Sequence, residues 1–180
     1  MKRAVFLDRD GTINADTGYV CAPQQVRLLP GVGRAIAMFK DAGYLVVVVS
    51  NQSALARGMM DEAGLKAVEQ ELVRQLAQEG TEVDAWYYCP HLPEGVVKRY
   101  TMVCDCRKPA PGLVLQAARE LDIDLSASVL VGDSPRDIAC AVAAGVGRSI
   151  FLGSAPCTPE PTAYAPNLLE AARLILEGPA

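Results

Sequence analysis

Two carboxylates that lie two residues apart are the most reactive feature of the sequence. Asp8 and Asp10 flank Arg9, directly after the apolar run Ala4–Leu7 and before Gly11-Thr12. On an extended segment, side chains two residues apart point to the same side, so both carboxylates can face one ligand. One carboxylate can be a covalent nucleophile while the other exchanges protons with a leaving group or water. In isolation, an acidic turn after a strand would look the same.

Polar residues later in the chain favour the catalytic interpretation. Asp133 and Asp137 follow another apolar run, and Lys108 precedes a helical segment. Several carboxylates at one place repel each other unless a cation neutralises them, and oxygen ligands favour a hard ion such as Mg²⁺. Lys108 and the hydroxyl of Ser50 could hold the oxygens of a phosphoryl group. The pattern therefore indicates metal-assisted attack on a phosphate monoester.

A second reactive group combines three thiols with the only histidine of the chain. The four residues form two pairs with twelve residues between them: Cys89 with His91, and Cys104 with Cys106. Such a set matches a tetrahedral structural zinc site, although both pairs are tighter than the common zinc-finger spacing. Three buried cysteines beside a core histidine are the alternative. We predict a zinc-binding loop over residues 89–107, which would fix where Arg107 and Lys108 point.

Alternating strands and helices must bring these residues together. Apolar runs predict strands at Ala4–Leu7, Tyr44–Val49, Val83–Tyr88, Ser128–Val131 and Arg148–Leu152. Apolar residues at helical spacing predict helices at Gly31–Ala42, Asp61–Glu79, Pro111–Leu121, Pro135–Ala144 and Asn167–Glu177. The segment from Ser154 to Pro166 is expected to be irregular.

This alternation predicts an α/β fold with a doubly wound parallel sheet. Ligands of such sheets bind outside the carboxyl ends of the strands. The polar loops Asp8–Thr12, Ser50–Ser53 and Gly132–Asp137 each follow a predicted strand. We therefore expect these three loops to line one mouth.

The composition is that of an ordinary globular protein. The chain of 180 residues is 51% apolar, which suits a single domain over residues 1–180. A net charge of −4 argues against a nucleic-acid partner. No apolar run approaches the roughly 20 residues of a membrane span or the shorter core of a signal peptide. We expect a cytoplasmic monomer with a small-molecule substrate and no membrane partner.

The ordered motifs resemble those of the haloacid dehalogenase (HAD) superfamily of phosphatases. They are Asp8-Arg9-Asp10-Gly11-Thr12, Ser50, Lys108 and Gly132-Asp133. The resemblance implies a Rossmann-like domain in which Asp8 is the nucleophile and Asp10 the general acid/base. Ser50 and Lys108 would bind the phosphoryl group, and Mg²⁺ would be bound by Asp8, Asp10 and Asp133. Asp137 would support the site through a water or by binding Lys108.

A wider set of motifs is similar to the D-glycero-D-manno-heptose 1,7-bisphosphate 7-phosphatase family, with histidinol-phosphate phosphatase as a near relative. These motifs are Gly18-Tyr19-Val20, Ser50-Asn51-Gln52-Ser53, Ala56-Arg57-Gly58, Cys89-Pro90-His91 and Cys104–Pro109. The similarity implies removal of the C7 phosphate through an aspartyl-phosphate, a structural zinc ion and no large cap. The implied catalytic residues are Asp8, Asp10, Ser50, Arg107 and Lys108. The implied substrate contacts are Asp8, Arg9, Asp10, Asp16, Thr17, Gly18, Tyr19, Ser50, Asn51, Gln52, Ser53, Arg107 and Lys108.

One position departs from that family's pattern. The family places Lys directly after the late Asp, whereas this chain has Ser134, followed by Pro135 and Arg136. The missing cation would change how a distal phosphate is held, unless Arg136 replaces it. Two other interpretations stay open: a phosphatase for histidinol phosphate or another small phosphorylated sugar, and an inactive zinc-binding interaction module.

Overall fold

Six strands form one sheet in the computed structural model, which describes residues 1–177. The strands are β1 (Ala4–Leu7), β2 (Leu45–Asn51), β3 (Ala85–Cys89), β4 (Val129–Gly132), β5 (Arg148–Leu152) and β6 (Ala163–Ala165). They lie in the order β3-β2-β1-β4-β5-β6, and every neighbouring pair is parallel. The helices are α1 (Val32–Asp41), α2 (Glu62–Gln78), α3 (Gly112–Leu121), α4 (Pro135–Ala144) and α5 (Leu168–Glu177). The predicted doubly wound α/β fold is confirmed.

Strand β1 lies at the centre of the sheet and is buried on both faces. Val5 and Leu7 belong to a core layer that also contains residues of α1, α2 and α5. Ala4 and Phe6 belong to the opposite layer, with residues of α3 and α4. Because both faces are covered, the strand carries a continuous apolar run without alternation. The end of β1 is therefore fixed from two sides.

Local capping explains where several helices begin and end. The Asp61 carboxylate accepts a hydrogen bond of 2.8 Å from the backbone N–H of Gly64, which starts α2. Gly43 follows α1 with a φ of 80°, a left-handed conformation that favours glycine. At α4, Ser134 is the N-cap and the carboxylate of Asp137 accepts from the backbone N–H of Ser134 at 3.1 Å. These caps agree with the predicted helix positions.

The prediction of irregular structure from Ser154 to Pro166 is wrong for three residues. Ala163–Ala165 forms the edge strand β6, which pairs with β5 over Ile150–Leu152. The Tyr164 ring packs edge-on against Phe151, with ring centroids 5.8 Å apart. A three-residue strand has no long apolar run of its own, and its pairing depends on the exposed edge of β5. Within residues 1–177, no helix is long and apolar enough to cross a membrane.

Truncation of Phe6 tests the central position of β1. Phe6 is 0% exposed, so Phe6→Ala should leave a cavity and lower the free energy of unfolding by about 3–5 kcal/mol. Urea unfolding at unchanged m value measures this loss. Val142→Ala, on a side chain that is 63% exposed in α4, is the control and should change the free energy by less than about 0.5 kcal/mol. Similar small effects for both variants would contradict the buried centre.

Candidate active site

A cavity of about 280 Å³ opens at the carboxyl ends of β1, β2 and β4. All three predicted loops contribute to its lining, together with Arg107 and Lys108. Each residue expected to contact substrate lines the cavity except Arg9 and Thr17. The lining also includes residues outside that expected set: Val20, Arg57, Asp133, Ser134, Arg136 and Asp137. The parallel topology thus brings distant parts of the sequence to one mouth.

The buried ammonium of Lys108 organises the floor of the cavity. Its Nζ atom lies 2.7 Å from Asp8 Oδ1 and 2.7 Å from Asp137 Oδ1. It also donates a hydrogen bond of 2.8 Å to the backbone carbonyl of Val49. The side chain is only 3% exposed. Burial acts to lower the pKa of Lys108, but the two carboxylates outweigh it and raise that pKa, so Lys108 is a cation.

The acidic residues around Lys108 carry more negative charge than one ammonium neutralises. Burial, against the opposing charge of Lys108 and together with the negative charge of Asp137, raises the pKa of Asp8 to about 7. Burial and the charge of Asp137 also raise the pKa of Asp133, to about 6. A cation bound between these groups would favour their ionised forms. The electrostatics of the site therefore call for a second positive charge.

The donor set at this place fits a hard divalent ion. Carboxylate oxygens of Asp8, Asp133 and Asp137 lie within 4.8 Å of one another. Such all-oxygen sets suit Mg²⁺. Gly11 is essential to this close approach, because a Cβ atom there would lie 2.0 Å from Asp133 Oδ2 and its φ is 83°. The loop after β1 therefore passes directly over Asp133.

Asp10 and Arg9 differ from the sequence-based expectation. The Asp10 carboxylate is not part of the described carboxylate group; it accepts hydrogen bonds from Arg9, Asn14 and Gln52 instead. Asp10 still lines the cavity. The Arg9 side chain is 0% exposed and does not line the cavity, so the predicted substrate contact of Arg9 is not supported by its side chain and stays a prediction for the residue. Its charge is held inside the protein by Asp10, 3.1 Å away.

Asn51 holds the backbone of Lys108 on both sides. Its Oδ1 atom accepts from the Lys108 N–H at 2.9 Å, and its Nδ2 atom donates to the Lys108 carbonyl at 3.0 Å. Asn51 was expected to contact substrate, and it does line the cavity. The paired hydrogen bonds show that it also anchors the segment that carries Lys108.

The predicted zinc ligands meet in one cluster. The ligand atoms of Cys89, His91, Cys104 and Cys106 lie within 4.8 Å of one another. The Sγ atom of Cys106 is 3.1 Å from that of Cys89 and 3.3 Å from the Nδ1 atom of His91. Three thiols and an imidazole fit the soft, tetrahedral preference of a structural zinc ion. Arg107 follows Cys106 in the sequence and donates a hydrogen bond of 3.2 Å to the His91 carbonyl. Because Arg107 also lines the cavity, it connects the cluster to the cavity.

Comparisons with known proteins agree with the fold and the site. Residues 105–171 match a family described as HAD-hydrolase-like. The chain is 45% identical over 158 residues to the D-glycero-beta-D-manno-heptose-1,7-bisphosphate 7-phosphatase of Escherichia coli (strain K12), covering 87% of this chain and 83% of that relative. It is 43% identical over 173 residues to the same-named enzyme of Vibrio cholerae, covering 96% and 93%.

The solved structure of a heptose bisphosphate phosphatase has the same fold over nearly the whole chain. It is the D,D-heptose 1,7-bisphosphate phosphatase from B. bronchiseptica complexed with magnesium and phosphate, with a TM-score of 0.83 and 37% identity over 97% of this chain and 98% of that one. Together, the sheet, the cavity and these matches define a phosphatase of the haloacid dehalogenase superfamily. Within it, the chain belongs to the D-glycero-beta-D-manno-heptose-1,7-bisphosphate 7-phosphatase family.

Loss of one cluster thiol tests the link between the cluster and the cavity. Cys104→Ser should release the metal from the 89–107 loop and raise KM for p-nitrophenyl phosphate at least several-fold, because Arg107 and Lys108 lose their anchor. Metal content by mass spectrometry and steady-state kinetics measure both effects. Cys157→Ser, at a buried cysteine outside the cluster, is the matched control and should change neither. A metal-free Cys104→Ser protein with unchanged KM would contradict the link.

Proposed function

We propose that this protein hydrolyses the C7 phosphate of D-glycero-β-D-manno-heptose 1,7-bisphosphate. The observation that carries the proposal is the carboxylate of Asp8 against the Lys108 ammonium at the floor of the cavity, in a chain 45% identical to an enzyme of that name. The β anomer follows the names of the relatives. We further propose one catalytic domain over residues 1–180 that carries its zinc loop at 89–107.

The first chemical step transfers the phosphoryl group to Asp8. A carboxylate oxygen of Asp8 forms a bond to phosphorus, and the bond between phosphorus and the C7 oxygen breaks. Asp10, in its acid form, gives its proton to the departing sugar oxygen. Lys108 and the hydroxyl of Ser50 bind the phosphoryl oxygens, on which negative charge lies during transfer. The products of this step are the heptose 1-phosphate and an aspartyl-phosphate.

The second step restores the enzyme. Asp10, now a carboxylate, takes a proton from a water that attacks the phosphorus of the aspartyl-phosphate. The bond between phosphorus and the Asp8 oxygen breaks, which releases inorganic phosphate and the Asp8 carboxylate. Asp137 keeps Lys108 in place throughout, because it binds the same ammonium at 2.7 Å.

Two metal ions fit the donor sets of this chain. Asp8 and Asp133, with Asp137 beside them, would hold Mg²⁺, which when bound neutralises the repulsion between the nucleophile and the phosphate. Support comes from the B. bronchiseptica relative, whose structure contains magnesium and phosphate. The sequence-based set also included Asp10, whose side chain is engaged by other donors. Cys89, His91, Cys104 and Cys106 would hold a structural zinc ion.

Three arginines at the rim supply charge for the second phosphate of the substrate. Arg57, Arg107 and Arg136 all line the cavity. Arg57 lies over the Tyr19 ring, 5.6 Å from its centroid, and Arg107 is fixed by the His91 carbonyl. The Nε atom of Arg136 is 3.3 Å from Ser134 Oγ, beside the position where the family pattern has lysine. We propose that Arg136 compensates for that lysine.

A substrate panel with a nucleophile variant tests the function. The kcat/KM for the β anomer of heptose 1,7-bisphosphate should exceed that for the α anomer and for histidinol phosphate. Asp8→Asn should lower kcat by about 10³-fold or more, because the covalent step is lost. Asp41→Asn, an acid of α1 away from the cavity, is the control and should leave kcat unchanged. A preference for histidinol phosphate would select the alternative phosphatase, and full activity of Asp8→Asn would refute the mechanism.

A further inference from the structure

We infer that Arg9, which lies between the two proposed catalytic aspartates, is a positioning residue for both halves of the reaction. Its guanidinium sets the direction of the Asp10 carboxylate and, through Gln52, the direction of the Ser50 hydroxyl. The inference rests on the proposed function, because it uses the proposed roles of Asp10 and Ser50. It adds a residue whose buried side chain does not line the cavity.

The described hydrogen bonds of the Arg9 guanidinium go to two cavity-lining residues, Asp10 and Gln52. The guanidinium is fully buried, at 0% exposure, and a buried charge requires a partner. Among residues 1–177, Asp10 is the one carboxylate that forms an ion pair with it. Its Nη1 atom has no hydrogen-bond partner in that part of the chain, and its Cζ atom lies 5.9 Å from the centre of the Tyr88 ring. Arg9 therefore does not join the core to a structural ion-pair network elsewhere.

The donors around Asp10 fix its carboxylate from the interior side. Oδ1 accepts from Arg9 Nε at 3.2 Å, from Arg9 Nη2 at 3.1 Å and from Asn14 Nδ2 at 2.9 Å. Oδ2 accepts from Arg9 Nη2 at 3.1 Å and from Gln52 Nε2 at 2.9 Å. The Asp10 side chain is 24% exposed, so it still faces the cavity. Proton transfer to a leaving oxygen depends on such a fixed direction.

Arg9 also determines which way the Gln52 amide points. Gln52 Oε1 accepts from Arg9 Nη2 at 3.0 Å, and an arginine can only donate. The oxygen of the amide must therefore face Arg9, which turns its NH₂ group toward Asp10 and Ser50. Gln52 Nε2 donates to Ser50 Oγ at 2.9 Å. Arg9 and the Asp10 carboxylate together fix the orientation of the amide.

The orientation of the Gln52 amide determines where the Ser50 hydroxyl can donate its proton. Because the Ser50 oxygen accepts from Gln52, its own proton must be donated elsewhere. Ser50 is almost fully buried but lines the cavity, so the phosphoryl group is the acceptor that a bound substrate offers. Without Arg9, the Asp10 carboxylate alone would hold the Gln52 amide in this orientation. Once Asp10 carries its proton, the amide can turn over and present its oxygen to Ser50, and the Ser50 hydroxyl would then donate to Gln52 instead of to phosphate.

An arginine suits this task better than a lysine. The planar guanidinium places several N–H groups in fixed directions, so it can bind both oxygens of Asp10 and the Gln52 carbonyl together. A lysine ammonium is a compact point charge on a flexible stem. We therefore expect Arg9→Lys to keep the buried charge but to lose most of the orientation.

Leaving-group dependence separates positioning from mere structural support. The enzyme with Mg²⁺ is assayed for kcat/KM with an alkyl phosphate, whose departing oxygen needs a proton, and with p-nitrophenyl phosphate, whose departing oxygen does not. Arg9→Met should lower kcat/KM for both substrates, because the Ser50 hydroxyl is misdirected in either case. The decrease should be at least ten-fold larger for the alkyl phosphate than for p-nitrophenyl phosphate. Arg9→Lys should show the same selective loss. Arg3→Met, at an arginine that packs on Tyr44, is the matched control and should leave the ratio of the two values unchanged.

Equal losses for both substrates, or no loss, in Arg9→Met would overturn the inference. If this variant lacks a cooperative thermal transition, Asn14→Ala replaces it, since Asn14 donates one hydrogen bond to Asp10 and its described side-chain hydrogen bonds do not involve Gln52 or Ser50. Asn14→Ala should show a smaller selective loss with the alkyl phosphate, and an unchanged ratio would again overturn the inference. Asp10→Asn is assayed in parallel. If Asp10→Asn leaves the ratio unchanged, the proposed acid/base role fails and this inference with it; a selective loss in Asp10→Asn alone overturns only the positioning by Arg9.

Discussion

The ion pairs of Lys108 with Asp8 and Asp137 are the interaction on which the rest of the site depends. A buried ammonium is stable only when its charge and its donors are satisfied, and here the partners come from three separate elements. Asp8 follows β1, Asp137 lies in α4, and the Val49 carbonyl belongs to β2. Loss of either carboxylate would remove one of the three oxygen acceptors of this buried ammonium. The position of the nucleophile is thus inseparable from the packing of the sheet.

Lys108 itself comes from the segment between β3 and α3, which has one short 3-10 turn and otherwise irregular backbone. Two features hold this segment: the Asn51 side chain, which binds the Lys108 backbone on both sides, and the cluster of cysteines and histidine just before it. A metal ion in the cluster would add rigidity to an irregular loop that Leu92 and Tyr100 anchor in the core. The sheet therefore positions the carboxylates of Asp8 and Asp137, and the loop positions the cations Arg107 and Lys108.

Sequence patterns predict those parts of the molecule that depend on neighbouring residues. The continuous apolar runs of β1 and β2, the cap at Asp61 and the turn at Gly43 are all local signals. The convergence of the loops Asp8–Thr12, Ser50–Ser53 and Gly132–Asp137 followed from parallel topology alone. The short strand β6 could not be predicted, because its pairing is supplied by β5 and not by its own residues.

The orientations of Asp10 and Arg9 were also beyond local patterns. Alternation along an extended strand puts residues 8 and 10 on one side, but the chain already turns there: the N–H groups of Thr12, Ile13 and Asn14 all point to the Arg9 carbonyl. An arginine between two acids looks like a solvated charge in the sequence. Its burial depends on Gln52, which is 43 residues away and reaches it only in the folded sheet.

The central place of β1 determines when this protein can become an enzyme during its synthesis. The strand that carries the nucleophile is made first, yet Phe6 pairs with Val47 on one side and with Leu130 on the other. Contacts of such sequence separation form slowly and only after the later strand exists. In a chain growing on the ribosome, Asp8 is therefore present well before Lys108, Asp133 and Asp137, the charged groups that surround it in the folded site. The arrangement of Asp8, Lys108 and Asp137 can form only after Asp137 has been added.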